Sequence, residues 1–297
     1  MKFVPKEITE EVNVTPVHPL VNLAYLLGTV ALGGIVVYAA LGLIAGQLVK
    51  RIGPETEEKI GASLVGSIID RTDVERIDAD DSRLVYLQDL TTSLQEDLSQ
   101  TKIATVDYPP VKIGILDTPE ENAMVTAGSY LMVTAGLLAN VESENELAFV
   151  LAHELGHLHN RDPLNALGRS LVLLTVSGLL GIGQGSTSTL VPDVLNLVEQ
   201  GHSRTQESAA DEYAIALMMA RYPHGGHSLD FFRRVEADEL DLGVLGSVAE
   251  WQQTHPLTGD RIEHLEDIAK ANDWPLTGPP TPLPEHIDCQ NFVPCQN

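Results

Sequence analysis

His153-Glu154-Leu155-Gly156-His157 sets a carboxylate between two imidazoles spaced four residues apart. On an α-helix, residues i and i+4 project from one face about one turn apart, so both rings can grip one tetrahedral Zn²⁺. Glu154, beside them, can take a proton from water held by that ion. The surroundings suit a helix. Ser143 and Glu146 match the N-cap and N3 positions of a capping box, and Leu147, Val150, Leu151, Leu155 and Leu158 give an apolar face for burial. The competing reading is a surface helix carrying two satisfied histidines. A third ligand separates the two readings.

Metzincins place a histidine six residues beyond the second one, after a glycine; Asn160 and Pro163 stand at those positions, so that class fails. Gluzincins draw a glutamate from a later helix, and Glu207 answers that need. Ser203 and Gln206 fit a second capping box, which sets Glu207 in the first turns of its helix. Asp211, one turn on, shares its face and can receive the N–H of a ligating histidine. Ala209, Ala210 and Ala214 are small, as a close approach of two helices around a metal requires. His159, His202, His224 and His227 could also bind metal, but each reads rather as a surface residue.

Those helices belong to a larger soluble part. Helices are expected over 54–70 and 81–100, the latter from Leu84, Leu87, Leu90 and Leu94 at 3–4 spacing. The period then changes: 111–116 alternates like a strand, and 123–126 and 130–134 flank Gly128-Ser129 as a hairpin. Residues 143–271 read as mainly helical. A shorter apolar stretch, 171–182, is too brief to span a bilayer and reads as a buried helix or a hairpin dipping into the membrane surface. Ahead of all this, 12–49 contains no Asp, Glu, Lys or Arg, and Leu20–Val49 is long enough for a retained transmembrane anchor. Gly42 and Gly46 in the anchor offer a spacing for helix pairing, hence a possible homo-oligomer. Lys50, Arg51 and Lys59 follow it, which favours a cytoplasmic soluble part. The segments expected are 1–19, an anchor at 20–49, a catalytic domain at 54–272, and a proline-rich tail at 273–297 that is extended or disordered. Cys289 and Cys295, the only cysteines, sit in that tail as a small disulfide loop or two free thiols. With 18 basic against 42 acidic residues, a formal net of −24, the chain repels nucleic acid.

Taken in order, Asn122-Ala123 with Gly128, His-Glu-Leu-Gly-His at 153–157, Glu207 to Asp211, and Thr254-His255-Pro256 with Arg261 resemble the gluzincin metallopeptidases that include the HtpX heat-shock protease and the CAAX prenyl-protein endopeptidases. The likeness covers about Pro54 to Ala271. It implies an α+β, predominantly helical, zincin-like domain with a small antiparallel sheet behind one transmembrane helix. It implies one Zn²⁺ per chain and endoproteolysis of membrane or misfolded proteins. It also implies that Asn122, Ala123, Met124, Val125 and Gly128 lie along the cleft, where a substrate strand pairs with an edge strand. His255 would either stabilise the tetrahedral intermediate or close the site as a fourth ligand. Arg261 would hold that segment or face the site. One span rather than many argues against the enclosed chamber of the prenyl proteases. Two rival readings stay in view: a zinc-stabilised chaperone or quality-control adaptor with little or latent proteolysis, and an anchored exopeptidase.

Overall fold

The computed structural model describes residues 18–49, 51–72, 81–97, 110–168, 201–242, 249–256, 259–285 and 287. The apolar stretch at 171–182 and both cysteines lie outside the described residues. In chain order the elements are α1 (Pro19–Val49), α2 (Pro54–Thr72), α3 (Ser82–Asp97), β1 (Lys112–Leu116), β2 (Ala123–Thr126), β3 (Tyr130–Thr134), α4 (Ala135–Asn140) and α5 (Glu144–His159). They continue with α6 (Arg204–Arg221), α7 (Asp230–Leu242), α8 (Ala249–Thr254) and α9 (Gly259–Ala271). The expected α+β, mainly helical class holds. Residues up to Ile44 form one unit, and Ala45 onward forms another.

Within the first unit, Pro19–Ile44 is the one helix among the described residues that is long and apolar enough to cross a membrane. Its large side chains, among them Leu20, Tyr25, Leu26 and Leu43, stand exposed rather than packed.

In the second unit, α5 is buried on every side from Asn145 to Leu158. A helix apolar all round belongs in a core, and Leu147, Phe149, Val150 and Leu151 join Leu87, Leu94, Leu131, Leu217, Phe231 and Phe232 in one cluster. Ser143 caps α5, its hydroxyl accepting from the Glu146 N–H at 3.2 Å. The other half of the expected capping box is displaced by one residue. Glu146 accepts from the Glu142 N–H at 2.8 Å and pairs with Arg234 at 2.6 Å, so the ion pair draws its carboxylate off the cap. At Ser203 the capping box is complete.

The sheet has the order β1-β3-β2. β2 and β3 pair antiparallel through the expected hairpin, with Met124 opposite Met132. β1 pairs parallel to β3, so the sheet is mixed rather than wholly antiparallel. After β1 the chain crosses the sheet end to start β2 at the far edge, which leaves the middle position for β3. At the hairpin tip Gly128 has φ +79°, and a Cβ there would come 2.9 Å from the Glu57 carbonyl and the Glu58 Cα of α2. Glycine meets both constraints.

The proline-rich segment runs extended along this unit over the described residues. The Glu144 N–H donates to the Thr281 carbonyl at 2.9 Å, the Thr281 N–H donates to Asn145 Oδ1 at 2.7 Å, and Trp274, Leu276 and Leu283 pack on the core.

Candidate active site

α5 and α6 cross where both carry small residues. A Cβ on Gly156 would lie 2.8 Å from Ala210 Cα, so the backbones touch there. Ala210 and Ala214 are fully buried at the contact, as their size suggested. The crossing brings His153 and His157 of α5 against Glu207 of α6.

His255, just past α8, completes the group. Its backbone N–H donates to the Trp251 carbonyl at 2.7 Å, and its ring stacks on the Trp251 indole with centroids 4.2 Å apart. The four residues are buried, and one ligand atom of each lies within 4.8 Å of the others. The separations are 3.2 Å for His153 Nε2 to His157 Nε2, 3.5 Å for His153 Nε2 to Glu207 Oε2, and 3.4 Å for His157 Nε2 to Glu207 Oε1. His255 Nδ1 stands 3.3 Å from Glu207 Oε1 and 3.4 Å from His153 Nε2. A tetrahedral zinc with bonds of about 2.0–2.1 Å has edges of about 3.3–3.4 Å. Three imidazole nitrogens and one carboxylate at that spacing fit such an ion.

His153 Nδ1 lies 3.0 Å from Asp211 Oδ1. Arg261 donates from Nε and Nη2 to the two oxygens of Asp211, each at 2.8 Å. Its Nη1 reaches Glu207 Oε2 at 2.7 Å and the Pro256 carbonyl at 3.1 Å. Arg261 therefore both holds the segment after His255 and faces the site. Burial opposes charge on Glu207, yet His255, His153 and His157 hold its carboxyl well below the usual carboxylate range. Burial likewise opposes charge on Asp211, and Arg261 with His153 outweighs it. Burial pushes the His255 ring down to about 3.

Glu154 is the exception among the buried acids. Neither oxygen has a hydrogen-bond donor among the described residues, and His255 Nε2 stands 3.4 Å from Oε1. Burial pushes its carboxyl up to about 7, with His157, His153 and the Val125 backbone pulling the other way. A buried carboxylate without donors is costly as plain structure and suited to receiving a proton near neutral pH.

Val125 belongs to β2, the outer strand on this side of the sheet. The Thr134 N–H donates to the Asn122 carbonyl at 3.0 Å, so hydrogen-bonded pairs fall at Asn122, Met124 and Thr126. By alternation, the N–H and C=O groups of Ala123 and Val125 face the open edge. The side chain of Met124 packs with Leu116, Met132 and Val65 on the α2 side. Gly128 sits in the hairpin tip against α2. The amide of Asn122, buried at the strand entry, has no hydrogen-bond partner among the described residues.

The model for peptidase family M48 matches residues 88–269. The chain belongs to this family. Similar proteins include the mitochondrial metalloendopeptidase OMA1 of Bos taurus, 29% identical over 205 residues, a match covering 61% of this chain and 38% of that protein. Metalloprotease LoiP of Escherichia coli strain K12 is 27% identical over 173 residues, covering 56% of this chain and 66% of its own. A protease HtpX homolog of Dictyoglomus turgidum is 32% identical over 195 residues, covering 53% and 63%. The chain thus spans from 35% to 70% of the length of these and other relatives it matches. Family and relatives bear out the expected class, a metalloendopeptidase, and the HtpX-type resemblance.

Within this M48 chain, two residues of the site were not read from the sequence, Asp162 and His202. Asp162 Oδ2 lies 2.9 Å from His157 Nδ1, and Gln206 Nε2 donates to Asp162 Oδ1 at 2.7 Å, tying the cap of α6 to the second histidine. Burial favours a neutral His157, but Asp162 and Glu207 outweigh it and push the ring up to about 9. His202, read as a surface residue, is half-buried and stacks on His157 with centroids 3.8 Å apart. The signal for it was its place next to the Ser203 cap of the helix that carries Glu207. His159 lies against the Tyr213 ring at a tilt of 32°, and His227 pairs with Asp230 at 2.7 Å.

Proposed function

We propose that this chain is a membrane-anchored zinc endopeptidase in which His153, His157 and Glu207 hold the ion and Glu154 is the catalytic base. The observation that carries the reading is the near-tetrahedral spacing of buried donor atoms beside a carboxylate with no hydrogen-bond donor among the described residues. Bound there, Zn²⁺ supplies Lewis acidity, polarising a peptide carbonyl and acidifying water. Glu154 accepts the proton of the attacking water on a carboxylate oxygen and returns it to the leaving amine. Arg261 keeps Asp211 and Glu207 ionised, and Asp211 and Asp162 orient the two imidazoles. An extended substrate pairs with the open groups of Ala123 and Val125, so recognition runs through the backbone and tolerates many sequences. That suits cleavage of membrane or misfolded proteins, whose exposed segments are extended. In this reading 20–49 lies in the bilayer, and 54–272 is the catalytic domain on the cytoplasmic side.

A second reading has its own observation. With His255 Nδ1 on the fourth corner, no corner is left for water. The arrangement described here is then the latent one, and turnover requires the His255 ring to swing off its Trp251 stack.

One pair of variants tests both readings. In Glu154→Gln, zinc content measured by mass spectrometry should be unchanged while cleavage of an unfolded protein falls by about 10²–10⁴-fold. Unchanged cleavage would end the proposal. His255→Ala should raise turnover if the ring only closes the site, and lower it if the ring acts on the intermediate. Holdase activity in both variants, with no turnover by the native protein, would favour the chaperone alternative.

A further inference from the structure

Arg234 of α7 bridges two acids that belong to the two halves of the cleft. Its Nη1 lies 2.6 Å from Glu146 Oε1 on α5, and its Nη2 donates to Glu121 Oε2 at 3.4 Å. Both carboxylates are buried. Glu146 lies two helical turns before His153, so the two share a face of α5 about 10 Å apart along the axis. Glu121 stands just ahead of Asn122 and Ala123, where the edge strand β2 begins. One guanidinium therefore grips both the helix that carries the histidines and the strand on which a substrate lies. Its own base is fixed. Phe231, Phe232 and Val235 of α7 are buried in the core, and the guanidinium carbon is 5.5 Å from the centre of the Phe231 ring.

We propose that Arg234 is a positioning residue, pinning β2 to α5 through Glu121 and Glu146 so that the carbonyl of a bound substrate is held at reacting distance from Glu154 and the metal site. The inference deepens the zinc-endopeptidase reading and rests on it. The Asn122 N–H donates to Thr134 Oγ1 at 2.9 Å, and the Thr134 N–H returns a bond to the Asn122 carbonyl at 3.0 Å. Those ties join β2 to β3 and leave its distance from α5 to apolar packing and to the Arg234 bridge. Apolar packing is non-directional, whereas a planar guanidinium fixes direction as well as distance. A counter-ion for buried Glu146 explains the 2.6 Å contact alone. It gives no account of the reach to a second acid at the strand entry.

A misplacement of about 1 Å at the reacting carbonyl costs about a hundredfold in rate. Releasing Glu121 leaves the open N–H and C=O groups of Ala123 and Val125 available for pairing, so binding survives while the carbonyl is misplaced. The loss therefore falls on kcat and not on KM.

The test compares Arg234→Lys and Glu121→Met in the zinc-loaded, detergent-solubilised full chain, with an unfolded protein as substrate. Lysine offers one compact ammonium, which keeps the tighter partner Glu146 and cannot also span to Glu121. Methionine matches the length of glutamate and removes the carboxylate. Each variant should lower kcat by about 10–100-fold with KM within about twofold and zinc content unchanged. The double variant should be no worse than either single one, because both cut the same tie. Amide exchange of the metal-free protein reads the same release without catalysis: residues 120–126 should exchange at least about tenfold faster in both variants, while α5 keeps its native rates. A purely stabilising counter-ion would lower the unfolding midpoint and leave kcat and the exchange of 120–126 unchanged, which overturns the proposal. A loss confined to KM, or losses that multiply in the double variant, would overturn it too. If one variant does not fold, the other decides; if neither folds, the bridge is structural and the proposal falls. Zinc-dependent cleavage that vanishes in Glu154→Gln but is undiminished in both variants sinks this inference and leaves the peptidase reading standing. Cleavage unchanged in Glu154→Gln sinks both.

Discussion

Each histidine of the helix motif hands its outward nitrogen to a carboxylate, and the two carboxylates are anchored differently. Asp211 is locked by Arg261 through paired hydrogen bonds, whereas Asp162 is held by one neutral bond from Gln206. Asp162→Ala therefore removes an orienting acceptor without leaving a buried guanidinium unpaired. It should weaken zinc binding by about 10–100-fold in competition with a chelator and leave the fold intact. Proton release gives a second measurement at this scale. Without an ion, Asp162 and Glu207 hold the His157 ring up to about 9, so at neutral pH the entering metal must displace a proton. Zinc affinity should rise with pH and level off near 9, and calorimetry in buffers of different ionisation enthalpy should show the released proton. The sign for the metal-free fold is the reverse. A raised folded-state value stabilises fully below the unfolded value of about 6.5 and is lost as pH climbs through about 9. Asp211 was legible in the sequence because it sits one helical turn from Glu207. Asp162 was not, because it follows the end of α5 and returns beneath His157 through Arg161, whose φ is +56°.

At the scale of elements, the site is the contact between α5 and α6, and its tightness is set by Gly156 over Ala210. One methyl group tests that. Gly156→Ala puts a carbon 2.8 Å from Ala210 Cα, where only backbone can yield, so the two helices must part. Overpacking of this kind costs about 1–3 kcal/mol in denaturant unfolding, and zinc affinity should fall with it because Glu207 moves with α6. Normal stability and normal affinity together would show that the crossing does not set the metal geometry. The sequence carried this contact in half: the alanines of α6 announced a close approach, while nothing in the motif marked Gly156 as their partner. The hairpin was legible from Gly128-Ser129 between two apolar runs. The parallel partnership of β1 was not, because which edge a strand takes depends on where the chain re-enters the sheet, and local periodicity does not encode that.

For the whole molecule, the junction behind the apolar helix is built into the catalytic half. Val49, at the end of α1, is buried with Leu64, Ala127, Leu164 and Leu167, and Ile52 and Ile60 pack on the same cluster. Arg161 donates to the Val49 carbonyl at 3.5 Å and the Ile52 carbonyl at 3.2 Å, and pairs with the buried Glu57. Arg161 in turn directly precedes Asp162, the partner of His157. The helix that reads as a tether thus ends in structure that braces the far end of the motif. Two truncations separate the roles. A chain beginning at Ala45 keeps Val49 and Ile52, and should retain the unfolding midpoint and zinc affinity of the intact protein while losing the membrane attachment proposed for residues 20–49. A chain beginning at Gly53 strips Val49 from the cluster, a loss of about 1.5–3 kcal/mol for one buried aliphatic side chain, and takes two carbonyl acceptors from Arg161. Its midpoint should fall and its zinc affinity should drop, because Arg161 no longer fixes the turn that carries Asp162. Equal midpoints in the two chains would reduce residues 45–52 to a passive linker.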